Sequence, residues 1–418
     1  MDLDFICSKL RSASDILSLQ TAAQKNASLE QVKAALNRYR NEILLANKKD
    51  TDIAREKGMS ESLVERLALD NKKIDSMIHS LDIIINQNDP SGEEISGWKT
   101  PDGLTIRQVR VPLGIVAIIY ESRPNVTLDA FALAYKSGNS ILLRGSSSAV
   151  NSNQAILKTI KSALSQGDGV EDAIYLAPCE NREEVQEILT ATGKIDVVLP
   201  RGSAGLINMV TQNARIPVIQ TGAGVCHLYV DESADLKMAA QIALNAKCQR
   251  PGACNAIECI VVHKSVLKEF MPLLYSAFNG KVQLRCDEQS LKALDNTQKT
   301  NAVSASENDF GFEFLDFVCA VKTVDSIHEA INFINSHNTK HSECIVTENR
   351  SCARLFQSKI DAACVYVNAS TRFTDGGEFG FGAELGISTQ KLHARGPMGI
   401  QALTTTKYLI DGDGQTRS

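Results

Sequence analysis

Apolar residues in the first ninety positions recur at the spacing of an α-helix. A first stripe of such residues comprises Leu29, Val32, Leu36, Tyr39 and Ile43. A second stripe follows a polar break and comprises Ile74, Met77, Ile78, Leu81 and Ile85. Spacings of three and four residues predict one amphipathic helix under each stripe, with its apolar face packed against a core. These stripes therefore predict helices that pack against a core, and they indicate no catalytic or binding role.

The pattern changes at residue 115 to short, continuous apolar runs. Ile115–Tyr120 contains no charged residue, as expected for a strand that is buried on both faces. Further strands are predicted at Ile141–Leu143, Ala173–Leu176, Ile195–Leu199 and Ile216–Ile219. Pro217 interrupts the last of these runs, and proline cannot donate to a strand ladder. Stretches of helical length lie between the runs: Leu128–Lys136, Asn151–Leu164, Arg182–Thr192 and Ala204–Asn213. This alternation predicts a parallel, doubly wound sheet.

A second alternating series predicts a second α/β unit. Its helices are predicted at Leu236–Ala246, Val266–Phe278 and Ser326–Ile334. Its strands are predicted at Ile257–Val262, Phe317–Val321, Glu343–Val346 and Ala363–Val367. Outside both series, turn residues precede Leu104–Arg110, which resembles one arm of a hairpin, and Ala402–Ile410 is predicted to form one more strand.

Composition narrows the class of protein. The chain has 418 residues, of which 43% are hydrophobic and 22% charged, so two or three ordinary globular domains are expected. A formal net charge of −5 supplies no general attraction for nucleic acid or for an anionic membrane. We find no signal peptide and no apolar run of membrane-spanning length, and therefore expect a cytoplasmic protein. The eleven cysteines form no CxxC pair and no Cys/His spacing that would predict a metal site.

Cys254 is the first candidate for a nucleophile. It follows the Pro251-Gly252 turn, between a predicted helix and a predicted strand, and Arg250 lies close in sequence. Cationic neighbours lower the pKa of a thiol and favour the reactive thiolate. Cys248 and Cys259 are competing candidates in the same segment.

Three strand ends carry residues suited to anionic or polar ligands. Arg201-Gly202-Ser203 follows a predicted strand and opens a helix, where small residues let backbone N–H groups approach a phosphate. Arg144-Gly145-Ser146 is a second anion-friendly turn. Asn125 follows a third strand and could donate a hydrogen bond to an oxyanion. Each of these segments could equally be a plain polar turn.

Together these segments resemble the aldehyde dehydrogenase superfamily and, within it, the branch that reduces the acyl phosphate of glutamate. The matching stretches include VPLGIVAIIYESRPNVTLDAFALAYKSGNSILLRGSSSA, TGAGVCHLYVDESADLKMA, KCQRPGACNAIE, SHNTKHSECIVTE and FTDGGEFGFGAELGISTQKLHARGPMG. The resemblance implies two doubly wound α/β domains and a small β flap for oligomerisation. It places the cofactor-binding domain at residues 1–97 and 111–224, the catalytic domain at 225–398, and the flap at 98–110 and 399–418.

The resemblance also implies an activity. Cys254 would attack L-glutamyl 5-phosphate and form a thioester, which NADPH would reduce to L-glutamate 5-semialdehyde in proline biosynthesis. The side chain of Asn125 and the backbone N–H of Cys254 would hold the oxyanion. Arg144, Gly145, Ser146, Arg201, Gly202, Ser203, Thr221 and Gly222 would contact the cofactor.

Two departures from the family pattern bear on this activity. Hydrolytic aldehyde dehydrogenases carry a glutamate base in a segment like ELGGK, where this chain has Thr221-Gly222-Ala223-Gly224-Val225. A missing base protects the thioester from water and favours reduction. The reductase branch usually shows RGGSEA, where this chain has RGSSSA, so no carboxylate there repels a 2′-phosphate.

The anionic substrate needs basic partners. Candidates are Arg123, Arg250, Arg395 and His341, whereas Lys247 and Arg372 are expected to be solvated surface residues. The resemblance implies a homo-oligomer, either dimer or tetramer, and leaves open whether a glutamate 5-kinase docks to deliver the labile substrate. Two alternatives remain at this point: a CoA-acylating aldehyde dehydrogenase and a non-catalytic binding relative.

Overall fold

Helices occupy the first ninety residues, as the apolar stripes predicted. The computed structural model describes residues 1–179, 181, 183–295 and 298–417. Its first helices are α1 (Leu3–Leu19), α2 (Ala22–Arg38), α3 (Arg40–Glu56), α4 (Glu61–Leu67) and α5 (Asn71–Asn86). The prediction of one helix under the first stripe was wrong, because Tyr39 leaves helical geometry and separates α2 from α3. The stripe continues across the break, since Leu36 and Ile43 are both fully buried.

The chain divides into two units. Unit 1 contains Met1–Gln220, Gly380–Gly386 and Met398–Ser418, and unit 2 contains Thr221–Phe379 and Ile387–Pro397. The predicted hairpin is confirmed in unit 1, where β1 (Glu94–Lys99) pairs antiparallel with β2 (Thr105–Pro112). The predicted strand near the carboxyl terminus is also confirmed, because Thr404–Asp411 pairs antiparallel with β2 to complete a three-stranded sheet.

A four-stranded parallel sheet forms the centre of unit 1. Its elements in chain order are β3 (Ile115–Tyr120), α6 (Asn125–Lys136), β4 (Ser140–Arg144), α7 (Val150–Leu164), β5 (Ile174–Leu176), α8 (Glu183–Leu189), β6 (Val197–Arg201) and α9 (Ala204–Asn213). The strand order is β5-β4-β3-β6. The chain moves outward from β3 to β5 and then returns to the other side of β3. Ligands of such sheets bind at the carboxyl ends of the strands where the order reverses.

One predicted strand of this sheet does not form. Ile216–Ile219 makes only an isolated bridge between Val218 and Val198. Pro217 accounts for the failure, because it has no N–H with which to extend the ladder. The helix predicted at Arg182–Thr192 is shorter, spanning Glu183–Leu189, and Arg182 lies outside the described residues.

Unit 2 is built on a seven-stranded parallel sheet. Its elements are β7 (Cys226–Val230), α10 (Leu236–Cys248), β8 (Ile257–His263), α11 (Leu267–Phe278), β9 (Gln283–Cys286), α12 (Glu288–Lys292), β10 (Ala302–Ser304), β11 (Val318–Val324), α13 (Ile327–His337), β12 (Ser342–Val346), α14 (Arg350–Lys359), β13 (Cys364–Val367), β14 (Ile387–Ser388) and β15 (Gly396–Pro397). The final strand of the chain, Thr404–Asp411, is β16 of unit 1. The order in the large sheet is β10-β9-β11-β8-β7-β12-β13, and every pairing is parallel.

The mixed α/β fold with parallel sheets confirms the predicted fold class. None of the described helices combines the length and the apolar character that crossing a bilayer would require. Within the described part of the chain, no three His, Cys, Asp or Glu side chains converge as metal ligands would.

Candidate active site

Cys254 lies at the centre of a tight turn between α10 and β8. The N–H of Ala253 donates to the carbonyl of Arg250 at 3.1 Å, and the N–H of Ala256 donates to the carbonyl of Ala253 at 3.0 Å. Two consecutive turns result, with Pro251-Gly252 central in the first and Cys254-Asn255 central in the second. Proline suits this position because its φ is already that of a turn. The Cys254 side chain is half-buried and thus reachable.

The two competing cysteines have less suitable surroundings. Cys248 is the last residue of α10, and burial raises the pKa of its thiol. Cys259 lies inside β8, where full burial raises the pKa of its thiol far above the ordinary value. Raised pKa values keep both thiols protonated, and a protonated thiol is a poor nucleophile.

The backbone of Cys254 packs directly against Gly224. A Cβ atom at Gly224 would overlap the carbonyl oxygen of Cys254, so only glycine fits there. The N–H of Gly224 donates to Oε1 of Glu313 at 2.6 Å. The thiol of Cys226 donates to the carbonyl of Cys254 at 3.3 Å. The TGAGV segment and Cys226 therefore hold the Cys254 turn from one side.

The segment 370–374 holds the same turn from another side, through Asn255. The Asn255 amide donates to the carbonyl of Thr374 at 2.9 Å, and the Thr371 hydroxyl donates to the carbonyl of Asn255 at 2.7 Å. The Arg372 guanidinium donates through Nε to Oε1 of Gln249 at 2.9 Å and also bonds to Oδ1 of Asn255. Arg372 is half-buried, so the expectation that it is a solvated surface residue was wrong.

Lys247 was also wrongly expected at the surface. Its ammonium is fully buried and lies 2.6 Å from Oε2 of Glu258 in β8. Oε1 of Glu258 accepts from the N–H of Leu315 at 3.2 Å. Burial raises the pKa of Glu258 to about 7, although the Lys247 charge opposes this effect. A buried pair has no periodic signature that would have revealed it in the sequence.

His341 is completely buried beside Cys226. Its Nδ1 lies 2.8 Å from the Ser342 hydroxyl and 3.7 Å from Sγ of Cys226. On neighbouring strands, Nδ1 of His227 lies 3.0 Å from Oε2 of Glu343, and both side chains are fully buried. This second pair was not predicted from the sequence.

Arg395 is engaged by a carboxylate of its own unit. Its guanidinium lies 2.7 Å from Oδ1 of Asp361, whose Oδ2 also faces Lys340 at 3.3 Å and Lys391 at 3.1 Å. These three cations, Arg395 foremost, hold the pKa of Asp361 well below its ordinary value. Arg250 is exposed at the start of the Cys254 turn.

The cofactor residues predicted in unit 1 cluster at the carboxyl ends of its strands. A cavity of about 690 Å³ opens there and is lined by Ile119, Tyr120, Glu121, Arg144, Ser146, Ser147, Cys179, Asn181, Val185, Gln186, Leu206, Met209 and Asn213. Nη2 of Arg144 donates to the carbonyl of Cys179 at 3.4 Å, while its buried Nε has no hydrogen-bond partner among the described residues. Gly145 lies so close to Tyr120 and Asn153 that a side chain would clash with both.

An acidic side chain occupies the N-terminal end of α9. Ser203 caps this helix by accepting from the N–H of Leu206 at 3.4 Å. The Glu121 carboxylate accepts from the Ser203 N–H at 2.9 Å and from the Ser203 hydroxyl at 2.6 Å. A Cβ at Gly202 would lie 2.7 Å from Glu121. Glu121 is thus a site residue that sequence analysis missed.

Asn125 is oriented by a second carboxylate that sequence analysis missed. Asn125 opens α6, and its Nδ2 donates to Oδ2 of Asp129, one turn later, at 2.9 Å. Burial raises the pKa of Asp129 to about 6, opposed by this hydrogen bond and by the charge of Arg201. Arg123 lies in the preceding turn, where its N–H donates to the carbonyl of Glu121 at 2.6 Å.

Thr221 and Gly222 belong to unit 2. Thr221 forms an isolated bridge with Ser388, and the N–H of Gly222 donates to the carbonyl of Ile387 at 3.3 Å. Unit 1 therefore brings together Asn125, Arg144–Ser146 and Arg201–Ser203, while unit 2 holds Cys254 with Arg250 and His341 nearby. Arg395 forms its ion pairs elsewhere in unit 2.

The chain is similar to one family of known proteins and, within that family, to one group of enzymes. The model of the aldehyde dehydrogenase family matches residues 2–295, more than half of the chain. The gamma-glutamyl phosphate reductase of Lachnospira eligens is 50% identical over 416 residues, which cover 99% of each chain. The crystal structure of the Thermotoga maritima gamma-glutamyl phosphate reductase superposes with a TM-score of 0.96 at 47% identity and covers 100% of both chains. The chain therefore belongs to the aldehyde dehydrogenase family, and its expected likeness to the gamma-glutamyl phosphate reductases is confirmed.

A more distant structure shares the fold alone. An acetylating aldehyde dehydrogenase from Geobacillus thermoglucosidasius superposes with a TM-score of 0.72 at 15% identity, covering 100% of this chain and 98% of the other. Identity this low supports the architecture and says nothing about the acyl acceptor.

Proposed function

We propose that this chain reduces L-glutamyl 5-phosphate to L-glutamate 5-semialdehyde and inorganic phosphate, with NADPH as cofactor, in proline biosynthesis. The observation that carries the proposal is the half-buried Cys254, held at the centre of a turn by Gly224 and by the segment 370–374. The full-length relatives named gamma-glutamyl phosphate reductase support the substrate.

Cys254 is the proposed nucleophile. Its thiolate attacks the acyl carbon, the bond from that carbon to the phosphate oxygen breaks, and inorganic phosphate leaves behind a thioester on Sγ. Arg250 lies at the start of the same turn and is the proposed partner of the leaving phosphate, because guanidinium groups bind phosphate through paired hydrogen bonds. Arg123 is a second proposed anion partner. The ion pair of Arg395 with Asp361 and the burial of His341 make these two residues weaker candidates for direct substrate contact.

The oxyanion needs donors that do not have to reorganise during the reaction. The proposed donors are the Cys254 N–H and the Nδ2 amide of Asn125. One amide hydrogen of Asn125 is already committed to Asp129, which fixes the orientation of the amide. The second hydrogen of the same nitrogen stays available as the proposed oxyanion donor.

The unit 1 cavity fits the nucleotide part of the cofactor. It lies where the strand order reverses, and Arg144 presents a buried Nε without a partner among the described residues. Arg144, Ser146 and Ser147 would hold the ribose and its 2′-phosphate, and the Arg201–Ser203 turn would face the nicotinamide-side phosphate. The chemistry that a bound nicotinamide cofactor supplies is hydride transfer to the thioester carbon.

The proposal is tested by identifying the acyl acceptor in the reverse reaction, the oxidation of glutamate semialdehyde. This direction avoids the need to prepare the labile acyl phosphate. Purified protein is mixed with glutamate semialdehyde and NADP⁺, and NADPH is followed by its absorbance. We expect NADPH formation that depends on inorganic phosphate. Formation with coenzyme A and simple aldehydes instead would favour the acylating alternative, and no reaction with either acceptor would favour a non-catalytic binding protein.

A further inference from the structure

We propose that Arg372 braces the turn that carries Cys254 and stabilises the Cys254 thiolate. The inference deepens the proposed function, since it rests on Cys254 being the nucleophile. Its test below needs neither substrate nor cofactor, so a failure of the reductase proposal and a failure of this one are distinguishable.

The brace follows from hydrogen bonds to one residue before Cys254 and to one residue after it. Nε of Arg372 donates to Oε1 of Gln249, five residues before Cys254, and the same guanidinium bonds to Oδ1 of Asn255, one residue after it. The carbonyl of Arg372 accepts from Nδ2 of Asn255 at 3.4 Å. Because guanidinium donors form a planar, rigid fork, two acceptors fixed by it cannot move apart independently. Arg372 therefore ties Gln249, which precedes the first turn, to Asn255, which is next to Cys254.

The charge of Arg372 acts on the same thiol. The Cys254 thiolate and Asp375 attract the guanidinium, while Arg250 repels it. Burial and Arg250 lower the pKa of Arg372, but a guanidinium remains charged at neutral pH. Attraction is mutual, so the interaction that favours charged Arg372 equally favours the Cys254 thiolate. Partial burial of Arg372 reduces screening of this attraction by water.

The test is the rate at which iodoacetamide alkylates Cys254, measured from pH 5 to pH 10 by mass spectrometry. Cys254 shares a tryptic peptide with Cys248 and Cys259, because trypsin does not cleave between Arg250 and Pro251. Fragment ions assign the modified cysteine. The midpoint of the pH profile reports the thiolate, and the plateau at high pH reports how accessible the turn is.

Three variants separate charge from brace. In Arg372→Gln the midpoint should rise by roughly one pH unit, so that alkylation at pH 7 falls about tenfold. Arg372→Lys keeps the charge without the fork, so its midpoint should stay near that of the wild type while its plateau rises. Gln249→Ala removes one exposed acceptor, keeps the guanidinium, and should also raise only the plateau. Arg354→Gln, which removes an exposed arginine of α14, is the matched control and should change neither quantity.

Three results would overturn the proposal. An unchanged midpoint in Arg372→Gln, or a midpoint in Arg372→Lys displaced as far as in Arg372→Gln, would show that the charge does not act on Cys254. A plateau that stays at the wild-type value in both Arg372→Lys and Gln249→Ala would show that no brace exists. Gln249→Ala keeps the second test available if Arg372→Gln does not fold.

Discussion

The Asp129 carboxyl group is buried next to Asn125, and its burial lowers the stability of the folded state at neutral pH. The carboxyl group accepts from the Asn125 amide, and its Oδ1 is shielded from solvent without a hydrogen-bond partner among the described residues. Burial raises its pKa to about 6 against an ordinary value of 3.8. A carboxylate that must ionise in such surroundings destabilises the fold at neutral pH. We propose that this destabilising carboxylate serves to orient the Asn125 amide.

We expect Asp129→Asn to be more stable than the wild type above pH 6. A raised pKa means that the folded state binds the proton more tightly, so the wild type loses stability as pH rises from about 4 through about 6. The ionisation penalty is roughly 3 kcal/mol, and changes in hydrogen bonding reduce the net gain to about 2 kcal/mol. Urea unfolding at pH 4 and pH 8 measures it. A variant less stable than the wild type at pH 8 would contradict this account.

Arg144 is expected to discriminate between the two nicotinamide cofactors. Its guanidinium lines the unit 1 cavity, and only NADPH carries the 2′-phosphate that a cation would attract. Arg144→Glu should therefore weaken NADPH binding at least tenfold and NADH binding far less, as measured by cofactor fluorescence. Equal losses for both cofactors would show that Arg144 does not face the 2′-phosphate.

At the scale of elements, the sequence predicted most strands with short apolar runs, including β8 and β12 although they contain the buried Glu258 and Glu343, but it missed β7. Ile115–Tyr120 was predicted with its observed bounds. Strand β7 was missed because His227 interrupts its apolar run, and nothing local shows that Glu343 on β12 satisfies this histidine. The break at Tyr39 was missed because one residue outside helical geometry leaves the three-and-four spacing almost intact. Whether such a segment forms a strand depends on partners that are distant in sequence.

Glu121 at the N-terminal end of α9 is expected to weaken cofactor binding. Its carboxylate accepts the hydrogen bond from the Ser203 N–H that would otherwise be donated to a cofactor phosphate. Two anions that share one donor repel each other. Glu121→Gln should therefore bind NADPH several-fold more tightly, measured by fluorescence titration. Asp168→Asn, an exposed carboxylate of unit 1, is the control and should leave the affinity unchanged. Weaker binding by Glu121→Gln would mean that Glu121 contacts the cofactor as a partner instead.

At the scale of the whole molecule, the three-stranded sheet presents an apolar surface to solvent. All six residues of β1 are exposed, and Trp98 and Tyr408 remain about half exposed with their rings 6.2 Å apart. Both β1 and β16 are edge strands, which expose unpaired backbone groups that favour association. We propose that this sheet is the assembly surface of a homo-oligomer.

The double variant Trp98→Ala and Tyr408→Ala should shift the oligomer toward the monomer. Removing two exposed aromatic rings takes away much of the apolar area that an interface could bury. Light scattering coupled to size-exclusion chromatography measures the mass of the wild type and of the variant. A monomeric wild type would refute the assembly proposal, and an unchanged oligomer in the double variant would place the interface elsewhere.

Candidate site residues could be predicted from the sequence where the residue type itself indicates the chemistry. Cys254, Arg144 and the Arg201–Ser203 turn became candidates because nucleophiles, cations and glycine turns have local signatures. Glu121, Asp129 and Arg372 were missed because each acts on a residue that lies beyond its own turn or on another element, and a single sequence does not show such pairs. The distant partners Gly224 and Cys254 illustrate the same point: only the structure shows why glycine is required.

We propose that Cys254 carries a thioester that is cleaved by phosphate and not by water. Mixing the protein with glutamate semialdehyde and NADP⁺ in the absence of phosphate tests it by stopped-flow absorbance and intact-protein mass spectrometry. We expect a burst of one NADPH per site, a glutamyl adduct on Cys254, and renewed turnover when phosphate is added. Cys254→Ala should show no burst while still binding NADPH. Continued turnover without phosphate, or a burst that persists in Cys254→Ala, would contradict the account.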